Sequence, residues 1–288
     1  MPTLQHQLQQ LQTKLLSIYD PAEARALTLW TLEYATTYSR VQLLSCLNEQ
    51  PTNQQQQTIN DISDQLLQHK PIQYIIGEAP FFGLTLNVSP DVLIPRPETE
   101  ELVDWIQQTI KTQFTPNQTI ALLDIGTGSG CIAVALNQIL PNLAVTATDI
   151  SRNALAIAQL NAQKYHQTIQ FICADILDTN QYSLFNTYDI IVSNPPYIAD
   201  NEKDTLDANV LNYEPHLALF APANNVLLFY DAILQFAQQH LNPNGWLFFE
   251  IHQNYAQETA NLAEEHGFCN TQIKLDINGN ARMIRCAR

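Results

Sequence analysis

Positive charge is what this 288-residue sequence has least of. Thirteen lysines and arginines stand against 28 aspartates and glutamates, for a formal net charge of −15. So acidic a chain is poorly suited to gaining affinity by neutralising many phosphates, and no Lys/Arg-rich stretch interrupts the acidity. No run of about 18 apolar residues occurs, so no membrane-crossing helix is expected. The start, Met1-Pro2-Thr3-Leu4-Gln5-His6, has no basic patch followed by an apolar stretch, so no secretory leader is expected. Cysteine is sparse. Cys46, Cys131, Cys173, Cys269 and Cys286 are far apart and form no CxxC pair, which excludes a zinc ribbon or a disulfide framework and fits reduced thiols in the cytoplasm. The seven histidines form no HxH or HExxH pattern, so no metal site is expected. What is abundant is apolar: 45% hydrophobic residues can build a real core, and the length suits one large domain plus a smaller one.

Residues 1–75 read as a small helical bundle. Leu4, Leu8, Leu11, Leu15 and Ile18 recur at steps of three and four, which makes one apolar helix face. A second helix is expected after Asp20-Pro21, with Asp20 as its cap and Pro21 at the first helical position. Residues 51–57, with four consecutive glutamines, read as a polar loop before a short stripe of Ile59, Ile62, Leu66 and Leu67. Residues 76–98 read as a β-hairpin linker, from the alternation across Phe81 to Val88 and the prolines at 90, 95 and 97. From 99 to 288, strand and helix patterns alternate: strands at Ile120–Ile125, Ala144–Thr148, Ile169–Cys173, Tyr188–Ser193 and Trp246–Ile251, then two more near residues 271–275 and 282–286. That alternation implies a mostly parallel sheet covered on both faces. Ligands of such sheets bind beyond the carboxyl ends of the strands, so the residues following each strand are the candidates.

The first strand is followed by Gly126-Thr127-Gly128-Ser129-Gly130, which permits a tight turn and close approach of a ligand to the backbone. The second ends at Asp149, nineteen residues beyond Gly130, where a carboxylate can accept both hydroxyls of a ribose. The third leads into Asp175 and Ile176, an acceptor for an exocyclic amine and an apolar wall for a purine ring. Together the three make a nucleoside site. The fourth is followed by Asn194-Pro195-Pro196-Tyr197. Pro196 has no N–H to donate, so the Pro195 carbonyl is expected to be a rigid acceptor; Asn194 adds a side-chain oxygen and Tyr197 an aromatic wall. Two such acceptors hold both hydrogens of a planar –NH2 group.

With the glycine loop after strand one, Asn-Pro-Pro-Tyr after strand four resembles the S-adenosylmethionine-dependent amino methyltransferases. Three further stretches narrow the resemblance: Pro71-Ile72-Gln73-Tyr74-Ile75-Ile76-Gly77 with Phe81-Phe82-Gly83, Leu93-Ile94-Pro95-Arg96-Pro97-Glu98-Thr99-Glu100, and DIGTGSGCIAVAL from Asp124 to Leu136. With Tyr213-Glu214-Pro215, they look like the peptide chain release factor glutamine methyltransferase family (PrmC/HemK).

The resemblance implies an α/β, Rossmann-like class I methyltransferase domain with a seven-stranded sheet whose last strand is antiparallel, behind a small N-terminal helical bundle. It also implies transfer of a methyl group from S-adenosylmethionine to the side-chain amide nitrogen of the Gly-Gly-Gln glutamine in class I release factors. Gly126, Thr127, Gly128, Ser129, Gly130, Asp149, Asp175, Ile176 and Asn194 would serve the donor, and Asn194, Pro195, Pro196 and Tyr197 the glutamine. The helical domain would dock the release factor, and the enzyme would be a cytoplasmic monomer that needs no metal, membrane or nucleic acid. The alternative is a DNA adenine or ribosomal RNA amino-methyltransferase with the same Asn-Pro-Pro-Tyr grip; a nicotinamide oxidoreductase has no role for that motif. Two stretches depart from the family pattern: Ala221-Pro222-Ala223-Asn224-Asn225, where the family is glycine-rich, and Glu250-Ile251-His252, where it often has Glu-Ile-Gly.

Overall fold

A computed structural model describes residues 2–116, 118–222 and 225–288. Its chain falls into two compact units, residues 1–77 with 207–213, and residues 78–206 with 214–288.

The first unit contains α1 (Leu4–Leu15), α2 (Pro21–Thr36), α3 (Arg40–Ser45), α4 (Asn53–Leu66) and α5 (Ile72–Ile76). Its core joins Leu4, Leu11 and Leu15 to Leu29, Leu32, Leu43, Ile59, Ile62 and Leu66. Asp20 caps α2 as expected, accepting from the backbone N–H groups of Ala22 and Glu23 at 2.8 and 3.0 Å. The glutamine run is the correction here: it is helix, not loop. Thr52 accepts from Gln55 N–H and the Gln55 side chain accepts from Thr52 N–H, a reciprocal cap that starts α4 before the glutamines. Glutamine is itself a good helix former, and the apolar stripe needs the extra turn to orient it. The short α5 closes the unit where the helical reading ends.

The second unit opens with a hairpin, β1 (Glu78–Phe81) and β2 (Leu84–Asn87), followed by α6 (Pro97–Gln113). Then come β3 (Ile120–Ile125), α7 (Cys131–Ile139), β4 (Leu143–Asp149), α8 (Arg152–Lys164), β5 (Ile169–Cys173) and β6 (Tyr188–Ser193). After α9 (Ala208–Tyr213), which belongs to the first unit, and the short α10 (His216–Leu219), the chain forms α11 (Leu228–His240), β7 (Leu241–Glu250), α12 (Ala256–Glu265), β8 (Cys269–Leu275) and β9 (Ala281–Ala287). Strands β3 to β9 form a seven-stranded sheet in the order β5-β4-β3-β6-β7-β9-β8, with β9 antiparallel to both neighbours.

Strand residues alternate between faces, and the core divides accordingly. Leu122, Ile190 and Phe248 face α6 and α7 through Leu102, Ile106, Ile132 and Val134. Their chain neighbours Leu123, Ile191 and Phe249 face α11 and α12 through Tyr230, Ile233, Phe236 and Ala260. Both faces are dry, which is why these strands read as continuous apolar runs. Consecutive crossovers run from β3 outward through β4 to β5, and then restart on the other side of β3 at β6. The strand order therefore reverses between β3 and β6, where a crevice opens at the carboxyl ends.

Candidate active site

The four strand ends are level. Ile125 pairs with Thr148 on one side and Ser193 on the other, and Asp149 pairs with Cys173. Beyond them lies a cavity of about 440 Å³, within the range of small-molecule sites. Its lining includes Gly126, Thr127, Gly128, Ser129, Asp149, Asp175, Ile176, Asn194, Pro195 and Pro196. Ten of the sequence-derived candidates thus share one wall system, although they are spread over 71 positions of the chain.

The glycine loop is held from beneath. The N–H groups of Gly126 and Thr127 donate to the Thr148 carbonyl at 2.9 and 3.0 Å, and Gly128 N–H donates to Asp149 Oδ2 at 2.9 Å. Gly126 and Gly128 have φ of +71° and +56°, and a Cβ on either would project into open space, so side chains are excluded there by backbone conformation. Gly130 does not line the cavity. It starts α7 at φ +79°, and a Cβ there would lie 3.0 Å from the Ala158 methyl, so its bareness lets α7 approach α8.

Asp149 also accepts from Ser151 N–H at 2.9 Å through Oδ1. Burial raises its pKa, while the Ser151 and Gly128 amides pull it back. Asp175 accepts from Leu177 N–H at 2.9 Å, which fixes the turn carrying Ile176. Cys131 lines the cavity too, but burial pushes its thiol up to about 12, so it is a neutral wall rather than a nucleophile.

Tyr197 is not among the lining residues. Its ring meets His252 edge to face, with centroids 5.9 Å apart, and its hydroxyl donates to Glu250 Oε1 at 3.3 Å. His252, one of the two departures, reaches Glu202 at 3.0 Å. In the other departure, Pro222 lines the cavity, and Ala223 and Asn224 lie outside the described residues.

Residues that the sequence reading did not assign to the site complete the walls: Pro90, Val92, Leu93, Arg96 and Thr99 from one side, Pro215, Leu217 and Phe229 from another. Arg96 and the preceding turn are fastened by buried Glu214, which accepts from Arg96 Nη2 at 2.6 Å and from Ile94 N–H at 3.2 Å. The presence of Arg96 and Glu214 inside two quoted motifs was the available signal, but 118 positions separate them. Because Arg96 is partly exposed, its pair is screened, and the unpaired Ile94 amide carries much of the cost of losing Glu214. Glu214→Ala is expected to lower stability by about 2 kcal/mol and to raise KM, read by thermal unfolding and steady-state kinetics; an unchanged melting temperature would show that the clamp is not what holds this wall.

Comparisons with known proteins agree with this layout. Residues 7–77 match the PrmC N-terminal domain model, and residues 100–215 match the Methyltransferase small domain model. The release factor glutamine methyltransferase of Flavobacterium psychrophilum is 47% identical over 272 residues, 94% of each chain. That of Bacteroides thetaiotaomicron is 42% identical over 233 residues, 81% of each chain. A crystal structure of a methyltransferase from Pyrococcus furiosus shares the fold, with a TM-score of 0.51 at 18% identity over 79% of this chain and 98% of that one. Identity of this level along nearly the whole length establishes that the chain belongs to the release factor glutamine methyltransferase family.

Proposed function

We propose that this enzyme transfers a methyl group from S-adenosylmethionine to the side-chain amide nitrogen of the glutamine in the Gly-Gly-Gln motif of class I release factors. The observation that carries the proposal is the meeting of Asn194-Pro195-Pro196 with the glycine loop and Asp149 in one cavity. The residues present fit the donor. Gly126 and Gly128 leave open space where side chains would otherwise stand, Asp149 offers a carboxylate for ribose hydroxyls, and Asp175 with Ile176 suits adenine. Bound there, S-adenosylmethionine supplies an electrophilic methyl group on a sulfonium.

A carboxamide nitrogen is a poor nucleophile because its lone pair is delocalised into the carbonyl. In this proposal Asn194 Oδ1 and the Pro195 carbonyl accept the two N–H groups, hold the nitrogen in line with the methyl group, and face the positive charge that develops on it. Positioning is the main contribution, and acceptors already aimed at the developing charge add electrostatic stabilisation. The extra proton leaves after attack, so no dedicated base is needed. Pro196 stiffens the turn, and Tyr197 acts from behind it through Glu250.

Residues 1–75, with exposed Leu16, Tyr34, Val41 and Leu44, are assigned to docking the release factor, residues 76–98 to the linking hairpin, and residues 99–288 to catalysis. In this reading the enzyme is a cytoplasmic monomer that uses no metal. No helix among the described residues is long and apolar enough to cross a membrane.

Incubation with labelled S-adenosylmethionine and an intact release factor, its Gln→Ala version, duplex DNA or ribosomal RNA tests the proposal. Label is expected on the intact release factor alone, and label on nucleic acid would overturn it.

A further inference from the structure

From the cavity wall a buried polar chain runs inward, crossing from α6 to the end of β7. Asn194 Nδ2 donates to Thr99 Oγ1 at 3.4 Å. The Thr99 hydroxyl donates to Glu250 Oε2 at 2.6 Å, and Tyr197 donates to Glu250 Oε1 at 3.3 Å. Thr99 and Glu250 are 2% and 1% exposed, so water cannot substitute for either partner.

An asparagine amide has two nearly equal-shaped ends of opposite hydrogen-bonding character, and something must decide which end faces the substrate. Burial raises the pKa of Glu250, while the hydrogen bonds from Thr99 and Tyr197 and the nearby Arg282 pull it back; as the acceptor of both hydroxyls it is read as a carboxylate, which is acceptor-only. The 2.6 Å separation is that of a charge-assisted O–H···O⁻ bond, so the single Thr99 proton is committed to Glu250. What remains on Thr99 Oγ1 is a lone pair. Only the –NH2 end of Asn194 can satisfy it; the carbonyl end would put two lone pairs against each other in a dry site.

We infer that Thr99 and Glu250 are positioning residues that set the orientation of the Asn194 amide, leaving Oδ1 to accept from the substrate nitrogen. This rests on the role proposed above for Asn194. Neither residue touches the reacting atoms. Without them the amide is free to turn its donor end toward the substrate –NH2, where donor meets donor and the lone pair is no longer drawn into line.

The test is a double-mutant cycle with the full-length enzyme, a release factor and S-adenosylmethionine. Thr99→Val keeps the shape and removes the hydroxyl. It is expected to lower kcat by about thirtyfold with donor affinity, read by calorimetry, within about twofold; Thr99→Ser is expected to recover to within about threefold of wild type. The discriminating arm uses Asn194→Asp. A carboxylate presents an acceptor whichever way it turns, so orientation no longer matters, and adding Thr99→Val to Asn194→Asp is expected to cost less than about threefold or to raise the rate. A purely structural Thr99 would cost as much in either background. A full thirtyfold loss on top of Asn194→Asp, or no loss when Thr99→Val is made alone, overturns the inference. If Thr99→Val does not fold, Thr99→Ala enters the same cycle. Failure of the functional proposal is distinguishable, because the wild-type enzyme would then leave the release factor unlabelled.

Discussion

Asn194→Ala is expected to slow methyl transfer to a release factor by about a thousandfold while S-adenosylmethionine affinity stays within about threefold. The reasoning follows the position of the residue. Asn194 stands directly after β6, beside the crevice at which the strand order reverses, and it lines the cavity with Pro195 and Pro196. The donor's other proposed partners lie on β3, β4 and β5, or just past them, and keep their own supports: the Thr148 carbonyl under the glycine loop, the Gly128 and Ser151 amides on Asp149, and the Leu177 amide on Asp175. Truncation of Asn194 therefore removes an acceptor that matters as the nitrogen becomes cationic and leaves most of the donor site standing. Losing one preorganised polar group at a developing charge costs about 10²–10³ in rate, and losing the alignment of the nucleophile adds to that. Single-turnover label transfer gives the rate and calorimetry gives the affinity. Turnover near the wild-type rate would remove Asn194 from the chemistry, and with it the proposed grip on the amide.

The parts of this site that could be read from sequence are those encoded by local, one-strand-at-a-time patterns. Each strand is an apolar run, each strand end carries its own short motif, and the rule that ligands sit at carboxyl ends joins the motifs without knowledge of contacts. The cap of α2 was legible for the same reason: Asp20 acts on amides two and three residues away. Where two local signals competed, the weaker-looking one prevailed, as in α4, whose Thr52–Gln55 cap outweighed the polarity of the glutamines. The pairs that escaped are non-local. Thr99 and Glu250 are 151 positions apart, and neither has a local reason to be polar and buried. Tyr197 escaped differently. Its identity followed from the motif, but which way its ring turns depends on β7 and His252, which no spacing within residues 194–197 encodes.

Asp124 should make donor affinity depend on pH. It is the penultimate residue of β3, with only Ile125 between it and the glycine loop, and is 1% exposed. Thr127 donates to its Oδ2 at 2.6 Å, while Oδ1 makes no hydrogen bond of normal geometry among the described residues. Burial pushes its pKa up to about 7, against the downward pull of Thr127 and the Ala133 amide; the nearby Asp149 carboxylate adds slightly to the rise. Asp124 does not itself line the cavity, but Ile125 and Thr127 do, so a cation bound there acts on it through protein rather than bulk water. S-adenosylmethionine carries a sulfonium and an ammonium, both of which favour the ionised carboxyl. Below about pH 7, binding must therefore expel a proton, and affinity falls as the pH is lowered, approaching tenfold per pH unit. Asp149, also raised, acts in the same direction.

Without donor, the linkage to stability has a definite sign. The native carboxyl holds its proton more tightly than the unfolded one, so a contribution fully present below about pH 4 is lost as pH rises through about 7, on the order of 4 kcal/mol in all. Asp124→Asn is expected to flatten the limb near pH 7 in calorimetric titrations from pH 5.5 to 8.5. It should also lessen the fall in melting temperature between pH 5 and 8, at the expense of weaker donor binding at pH 8, where the wild-type carboxylate is fully formed. An unchanged pH dependence in the Asn variant would assign the limb to Asp149 instead, and leave Asp124 as an anchor for Thr127 alone.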